Sequence, residues 1–195
     1  FNTFHKKEAE SFDKFYANSL AMRKVINEAS RMADLDGPLL IFGETGTGKE
    51  LIARSCHEAS GRAEGPLLSL NCATISDDIA ETELFGSAVN AFGNTEAKQG
   101  LLEQAQGGTL LLDEIADMSL QLQGKLLRVI EDAEFRRVSD NAPIGVDVRF
   151  MCTTSKDLGL LVESGRFRQD LYYRLNVLSL VMPALRERKQ DIMPL

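Results

Sequence analysis

One short glycine-rich segment constrains this chain more than any other feature: Gly43-Glu44-Thr45-Gly46-Thr47-Gly48-Lys49-Glu50. Before it runs Leu39-Leu40-Ile41-Phe42, all apolar, as in a strand buried on both faces of a parallel sheet. After it, Ile52, Cys56 and Ala59 fall on one helical face, and Gly61 ends the pattern. Strand, G-x-x-x-x-G-K turn and helix together read as a phosphate-binding loop. Glycines let backbone N–H groups turn inward without a Cβ clash. Those donors and the following helix N-terminus form an anion site, and Lys49 reaches the terminal phosphates as a point charge. Gly43, Glu44, Thr45, Gly46, Thr47, Gly48, Lys49, Glu50 and the adjoining Leu51 are the expected nucleotide-binding residues. The Ser or Thr that usually follows the lysine and touches Mg²⁺ is Glu50 here. Its carboxylate either acts on the metal through water or caps the helix N-terminus.

A second element answers the first. Leu110-Leu111-Leu112-Asp113-Glu114 is an apolar strand ending in two carboxylates. Asp113 suits the Mg²⁺ shell, and Glu114 suits polarisation of a water against a γ-phosphate. ATP and Mg²⁺ are therefore the expected ligands. Asn71 follows a candidate strand, Leu67 to Leu70, and can hydrogen-bond a carboxylate such as Glu114. Thr154, at the end of a strand expected over Val146 to Cys152, is placed to sense a γ-phosphate. Arg168 and Arg174 lie six apart on a helix expected from about Gly165 to Leu175. They are either surface charges or arginines offered in trans to a neighbour's nucleotide. His5 and His57 have no partner cluster and read as structural. Cys56, Cys72 and Cys152 are far apart and form no C-x-x-C pair, which argues against a metal site or a disulfide framework and for a reduced compartment.

Around these motifs the pattern alternates. A helix begins at Ser19, with Met22, Val25/Ile26, Ala29 and Met32/Ala33 on one face, and Asp36-Gly37-Pro38 ends it. Ile75 to Phe85 reads as a short acidic helix, Ser87 to Gly100 as a loop, and Ser119 as the cap of a helix carrying Leu122, Leu126 and Val129/Ile130. Val177 to Val181 is a last strand. Such alternation predicts an α/β fold, a parallel sheet with helices on both sides. The chain's 195 residues can bury one full core. Residues 1–18 are expected to be a lead-in and 19–195 the α/β nucleotide-binding domain. With 22 Lys+Arg against 29 Asp+Glu, the net charge of −7 argues against a surface that clamps nucleic acid. No apolar run approaches the roughly 20 residues of a membrane span, and Phe1-Asn2-Thr3-Phe4-His5 does not resemble a secretory signal. A cytoplasmic fragment of a longer protein, with no membrane partner, is expected.

GETGTGKE (Gly43–Glu50), LNCA (Leu70–Ala73), ELFG (Glu83–Gly86), QGGTLLLDEI (Gln106–Ile115), QGKLLRVIE (Gln123–Glu131), FRRV (Phe135–Val138) and FRQDLYYRLNVL (Phe167–Leu178) together resemble the central AAA+ domain of bacterial enhancer-binding transcription regulators, the sigma-N activator class. The resemblance implies a five-stranded AAA+ P-loop NTPase sandwich whose helical lid would follow Leu195. It adds Gly107 and Gly108 to the nucleotide-binding set. It implies that Asn71 switches the catalytic Glu114, that Thr154 is a sensor (with Ser155 where an asparagine is usual), and that Arg168 and Arg174 are trans-acting fingers in a ring. The class carries a GAFTGA loop for the sigma factor. This chain has Asn90-Ala91-Phe92-Gly93-Asn94-Thr95 there, and only Ala91 and Phe92 match. One branch, regulators of aromatic amino acid biosynthesis and transport genes, lacks that loop and is similar over Ala53–Ala63, Leu70–Gly86, Phe135–Leu158 and Gln190–Leu195. That branch implies ATP binding, tyrosine or another aromatic amino acid as effector, and self-association from dimer towards hexamer. It also implies work with the housekeeping RNA polymerase as repressor or activator, and DNA contact through a C-terminal helix-turn-helix outside this chain. A sigma-N activator ATPase is the alternative, and an unrelated phosphate-loop enzyme such as a kinase is disfavoured because nothing supplies a phosphoryl acceptor site.

Overall fold

A computed structural model describes residues 11, 12, 15, 18–89 and 97–192. The Asn90–Thr95 segment and most of the 1–18 lead-in lie outside them. Five strands carry the architecture: β1 (Leu39–Phe42), β2 (Leu67–Asn71), β3 (Thr109–Asp113), β6 (Arg149–Thr154) and β7 (Leu178–Val181). They form one parallel sheet in the order β2-β3-β6-β1-β7. This is the five-stranded α/β arrangement the motifs predict. β1 lies between β6 and β7, so the chain leaves β1 towards one side of the sheet and returns on the other. A crevice opens at the carboxyl end of such a strand. Register brings the loop-bearing and acid-bearing ends together, with Phe42 opposite Thr154 and Asn71 opposite Asp113.

Alternation along the strands splits the core in two. Leu110, Leu112, Phe150 and Cys152 face one side and pack with Leu84 of α3 (Asp77–Phe85), Leu122 and Leu126 of α5 (Leu120–Asp132), and Leu171 and Leu175 of α7 (Gln169–Leu175). Leu39, Ile41, Leu111, Met151 and Leu180 face the other. There they meet Met22, Val25, Ala29 and Ala33 of α1 (Leu20–Ala33) and Ile52, Ala53 and Cys56 of α2 (Lys49–Glu58). Ser19 caps α1 by accepting from the Met22 N–H at 3.2 Å, and Ser119 caps α5 from the Leu122 N–H at 3.4 Å. The other end of α1 is closed by a residue from the sheet. The Arg149 guanidinium, 2% exposed, donates to the Ala33 carbonyl at 2.6 Å and the Met32 carbonyl at 2.8 Å. A cation is favourable at a helix C-terminus, where carbonyls lack partners.

Several boundaries differ from expectation. The helix expected from about Gly165 starts only at Gln169 (α7), and a separate, unexpected helix, α6 (Leu158–Glu163), capped by the Asp157 carboxylate, precedes it. The strand expected from Val146 begins at Arg149, because Ile144–Gly145 (β5) first turns back to pair with Glu134–Phe135 (β4). The expected loop after Gly86 is tied at its base, where Ser87 bridges both Lys98 and Val138, and a short α4 (Leu101–Gln104) follows.

Candidate functional site

The glycine-rich loop joins β1 to α2 at the carboxyl edge of the sheet. Its shape needs its glycines. Gly48 is the N-cap of α2 at φ 91°, a left-handed conformation that side chains resist. At Gly43 a Cβ would sit 2.8 Å from Met182 Cβ and 2.9 Å from Thr47 Oγ1. The Gly43 N–H donates to the Thr154 carbonyl at 3.1 Å, which stitches the loop to β6. Thr47 Oγ1 donates to the Glu44 carbonyl at 2.7 Å. Lys49, 6% exposed, folds its ammonium into the hollow and donates to the Gly43 carbonyl at 2.9 Å.

That ammonium also reaches Glu114 Oε1, at 3.1 Å. The opposite carboxylate oxygen, Oε2, accepts from the Ser155 N–H at 2.9 Å and the Ser155 hydroxyl at 2.8 Å. Burial alone would raise the Glu114 pKa; the Ser155 bonds and Lys49 outweigh it and hold the carboxyl below its ordinary value. Glu114 stands at φ 50°, ψ 54°. A non-glycine residue held there stores strain, a pattern that clusters at functional sites. Asp113 beside it accepts from Asn71 Nδ2 at 2.8 Å and, on its other oxygen, from the Thr153 hydroxyl. The same Thr153 oxygen accepts the Glu114 N–H at 3.1 Å.

The structure thus brings together Gly43 to Lys49, Asn71, Asp113 and Glu114, and revises several assignments. Asn71 holds Asp113, not Glu114, because the β2–β3 register sets it opposite Asp113. The Thr154 hydroxyl is spent in its own turn, on the Lys156 N–H and carbonyl at 3.0 Å each; Ser155, one residue on and facing the other way, takes the Glu114 contact. Glu50 is exposed and pairs with Arg54 at 2.7 Å, and Leu51 beside it is exposed. Gly107 and Gly108 lie at the start of β3, a strand's length from the loop. A Cβ on Gly108 would meet the Pro66 carbonyl at 2.1 Å, so the close β2–β3 approach explains this glycine. Arg168 pairs with Asp170 at 2.7 Å, and Arg174 reaches the Ile130 carbonyl at 3.5 Å. Both are exposed, and among the described residues neither is bonded to the loop or the acids.

Two arginines that no motif marked lie behind the loop. Arg186 makes a two-pronged pair with the Glu44 carboxylate, both bonds 2.8 Å. Arg188 is buried and donates to the Thr47 carbonyl at 2.8 Å. The sequence signal that could have found them is thin: two cations in the polar run Arg186-Glu187-Arg188-Lys189-Gln190-Asp191 after the last strand.

The residues fit a polyphosphate with its divalent cation. The loop leaves no room for side chains at Gly43, its one buried ammonium lies in the hollow, and a carboxylate faces that ammonium. Among the described residues no cluster of three or more His, Cys, Asp or Glu could hold a metal alone. Asp113 is the group suited to a cation that phosphates also ligate. Among the described residues, no helix is long and apolar enough to cross a membrane.

Comparison with known proteins agrees with this geometry. The family model described as the sigma-54 interaction domain matches residues 15–181; sigma-54 is the sigma-N factor of the resemblance above. The chain is 54% identical over 185 residues to the HTH-type transcriptional regulatory protein TyrR of Enterobacter agglomerans, covering 94% of this chain and 36% of that protein. It is 48% identical over 176 residues to the regulatory protein AtoC of Escherichia coli strain K12, covering 90% and 38%. The chain spans about a third of the length of these curated relatives. Among solved structures, NtrX from Brucella abortus in complex with ATP superposes with a TM-score of 0.86 at 39% identity, over 99% of this chain and 42% of that one.

Proposed function

This chain belongs to the sigma-54 interaction domain family, and on that premise we propose that it is the ATP-binding central domain of a TyrR-like transcriptional regulator. The regulator controls genes of aromatic amino acid biosynthesis and transport from the cytoplasm. ATP supports tyrosine-dependent self-association from dimer towards hexamer, and the assembly represses or activates with the housekeeping RNA polymerase. DNA is read by a C-terminal helix-turn-helix in the longer protein, a role the −7 charge of this domain does not suit.

The observation that carries the reading is the Lys49 ammonium, held between the Gly43 carbonyl and Glu114 at 2.9 and 3.1 Å. The loop N–H groups and Lys49 bind the phosphates. Mg²⁺, when bound, neutralises phosphate charge, and Asp113 is its protein ligand. Asn71 and Thr153 orient Asp113. Glu114 is the base for any hydrolysis; Lys49 occupies it while the site is empty, and the two Ser155 donors keep it a weak base. Arg168 and Arg174 are the residues exposed for a neighbouring subunit's nucleotide.

The complete Asp113–Glu114 pair favours a second reading, a sigma-N-dependent activator ATPase. The sequence Asn90-Ala91-Phe92-Gly93-Asn94-Thr95 in place of GAFTGA favours the first. Sedimentation velocity of the full-length protein tests the choice. A shift to larger species is expected only when ATP and tyrosine are both present; no shift refutes the regulator reading. Robust, hydrolysis-dependent transcription from a sigma-N promoter reporter would establish the second.

A further inference from the structure

Arg188 reaches the phosphate loop from behind, through the Thr47 carbonyl. It sits between two short 3-10 turns after β7, Leu185–Glu187 and Lys189–Asp191, and is 5% exposed. A guanidinium that deep is expensive to desolvate and needs partners. One nitrogen donates to the Thr47 carbonyl at 2.8 Å, and another lies 3.4 Å from the Met22 sulfur of α1, while Nε has no partner among the described residues. Asp191 lies in the same segment, is fully buried, and accepts from the Ser19 N–H at 2.8 Å and hydroxyl at 2.5 Å. The segment is therefore anchored at α1 by one residue and at the phosphate loop by the other.

We propose that Arg188 is a positioning residue for phosphate binding: by holding the Thr47 carbonyl towards α1 it aims the Gly48 N–H into the loop before ligand arrives. The inference rests on the ATP reading above. The geometry follows from the peptide bond. In a planar trans peptide the C=O of Thr47 and the N–H of Gly48 point in opposite directions. A carbonyl fixed on the Arg188 side sends the N–H to the side of the hollow. The conformation it must hold is the left-handed one at Gly48, φ 91°, which glycine leaves free to relax. A charged donor on the Thr47 carbonyl is a strong tether for that freedom. Preorganising a donor raises affinity by removing an ordering cost at binding.

Titration calorimetry with inorganic tripolyphosphate on the full-length protein isolates the effect, because this probe has no base or sugar to contact other residues. Arg188→Met, which keeps the volume, is expected to weaken tripolyphosphate by about ten-fold or more, the scale of a lost charged hydrogen bond. Asp191→Asn, which loosens the α1 end of the segment but leaves Thr47 alone, is expected to lower thermal stability and leave that affinity within about two-fold, because the Thr47 bond survives. Equal affinity in folded Arg188→Met and wild type overturns the proposal, and so does an equal loss in both variants. Where Arg188→Met does not fold, NMR of the wild type decides. Tripolyphosphate should move the Gly48 amide proton and leave the Arg188 guanidinium signals in place; a large guanidinium shift means the hold is not preset and overturns the proposal. Failure of wild type itself to bind would remove the ATP reading along with the inference, an outcome distinct from those.

Discussion

Replacing Lys49 with methionine tests the site in two ways at once. Methionine keeps the aliphatic stem and removes the ammonium. In the ligand-free chain that breaks an ion pair 3.1 Å long between side chains 7% and 17% exposed. Leaving one partner of a fully buried pair alone costs ~3–5 kcal/mol. Glu114 keeps both Ser155 donors on its other oxygen, so about 1–2 kcal/mol is expected here. For a chain of this size that is a fall in Tm of about 2–8 °C, read by scanning calorimetry without nucleotide. Adding Glu114→Gln to Lys49→Met should recover part of the loss, since a neutral amide tolerates the missing ammonium. With ATP at ~100 times its Kd, wild type gains ~2.7 kcal/mol and the variant gains nothing. Unchanged nucleotide affinity in Lys49→Met refutes the assignment of the loop. An unchanged Tm without ligand, with no recovery in the double variant, refutes the claim that the pair is formed in the empty site.

Arg149→Met removes both donors from the end of α1 and leaves one buried and one part-buried carbonyl; a loss of about 2 kcal/mol is expected in urea unfolding, and a change under 0.5 would contradict the capping role. The Arg137 hydrogen bond, opposed by burial, holds Glu103 below its ordinary value of 4.5. A lowered folded pKa means this contribution is complete above pH 4.5 and disappears as pH falls through the folded value; Glu103→Gln should therefore lower stability at pH 7 and flatten its decline in acid, as denaturant midpoints across pH would show. Burial pushes Cys56 and Cys72 up to about 12 and Cys152 higher still; at pH 8 all three should resist iodoacetamide in the native chain and react within minutes in denaturant, and rapid native labelling by mass spectrometry would contradict the packing described.

What the sequence disclosed, it disclosed through patterns that physics makes local. The loop is legible because its glycines, its lysine and the flanking periods all sit within about twenty residues. Asp113 and Glu114 are legible because an apolar strand has to end before two charges can appear. The revisions have equally specific causes. On a strand end, adjacent side chains face opposite ways, so a motif can mark Thr154 while the contact goes to Ser155. Asn71 finds Asp113 through inter-strand register, which no single segment encodes. Gly107 and Gly108 precede the acids by a strand that carries them to the opposite edge of the sheet. α6 has six residues, too few for a helical period to show, and β4 and β5 have two each. Arg188 belongs to a run that reads as surface charge, and only the tertiary fold buries it.

The self-pairing of Lys49 and Glu114 carries a consequence for discrimination among ligands. A newcomer must draw the ammonium off a carboxylate that already satisfies it, and an uncharged nucleoside brings nothing with which to compete. Each additional phosphate oxygen strengthens the rival claim, so selectivity scales with anionic charge before any contact to the base is made. The same exchange releases the acid only when its lysine has been claimed elsewhere, which makes the empty domain chemically quiet by default.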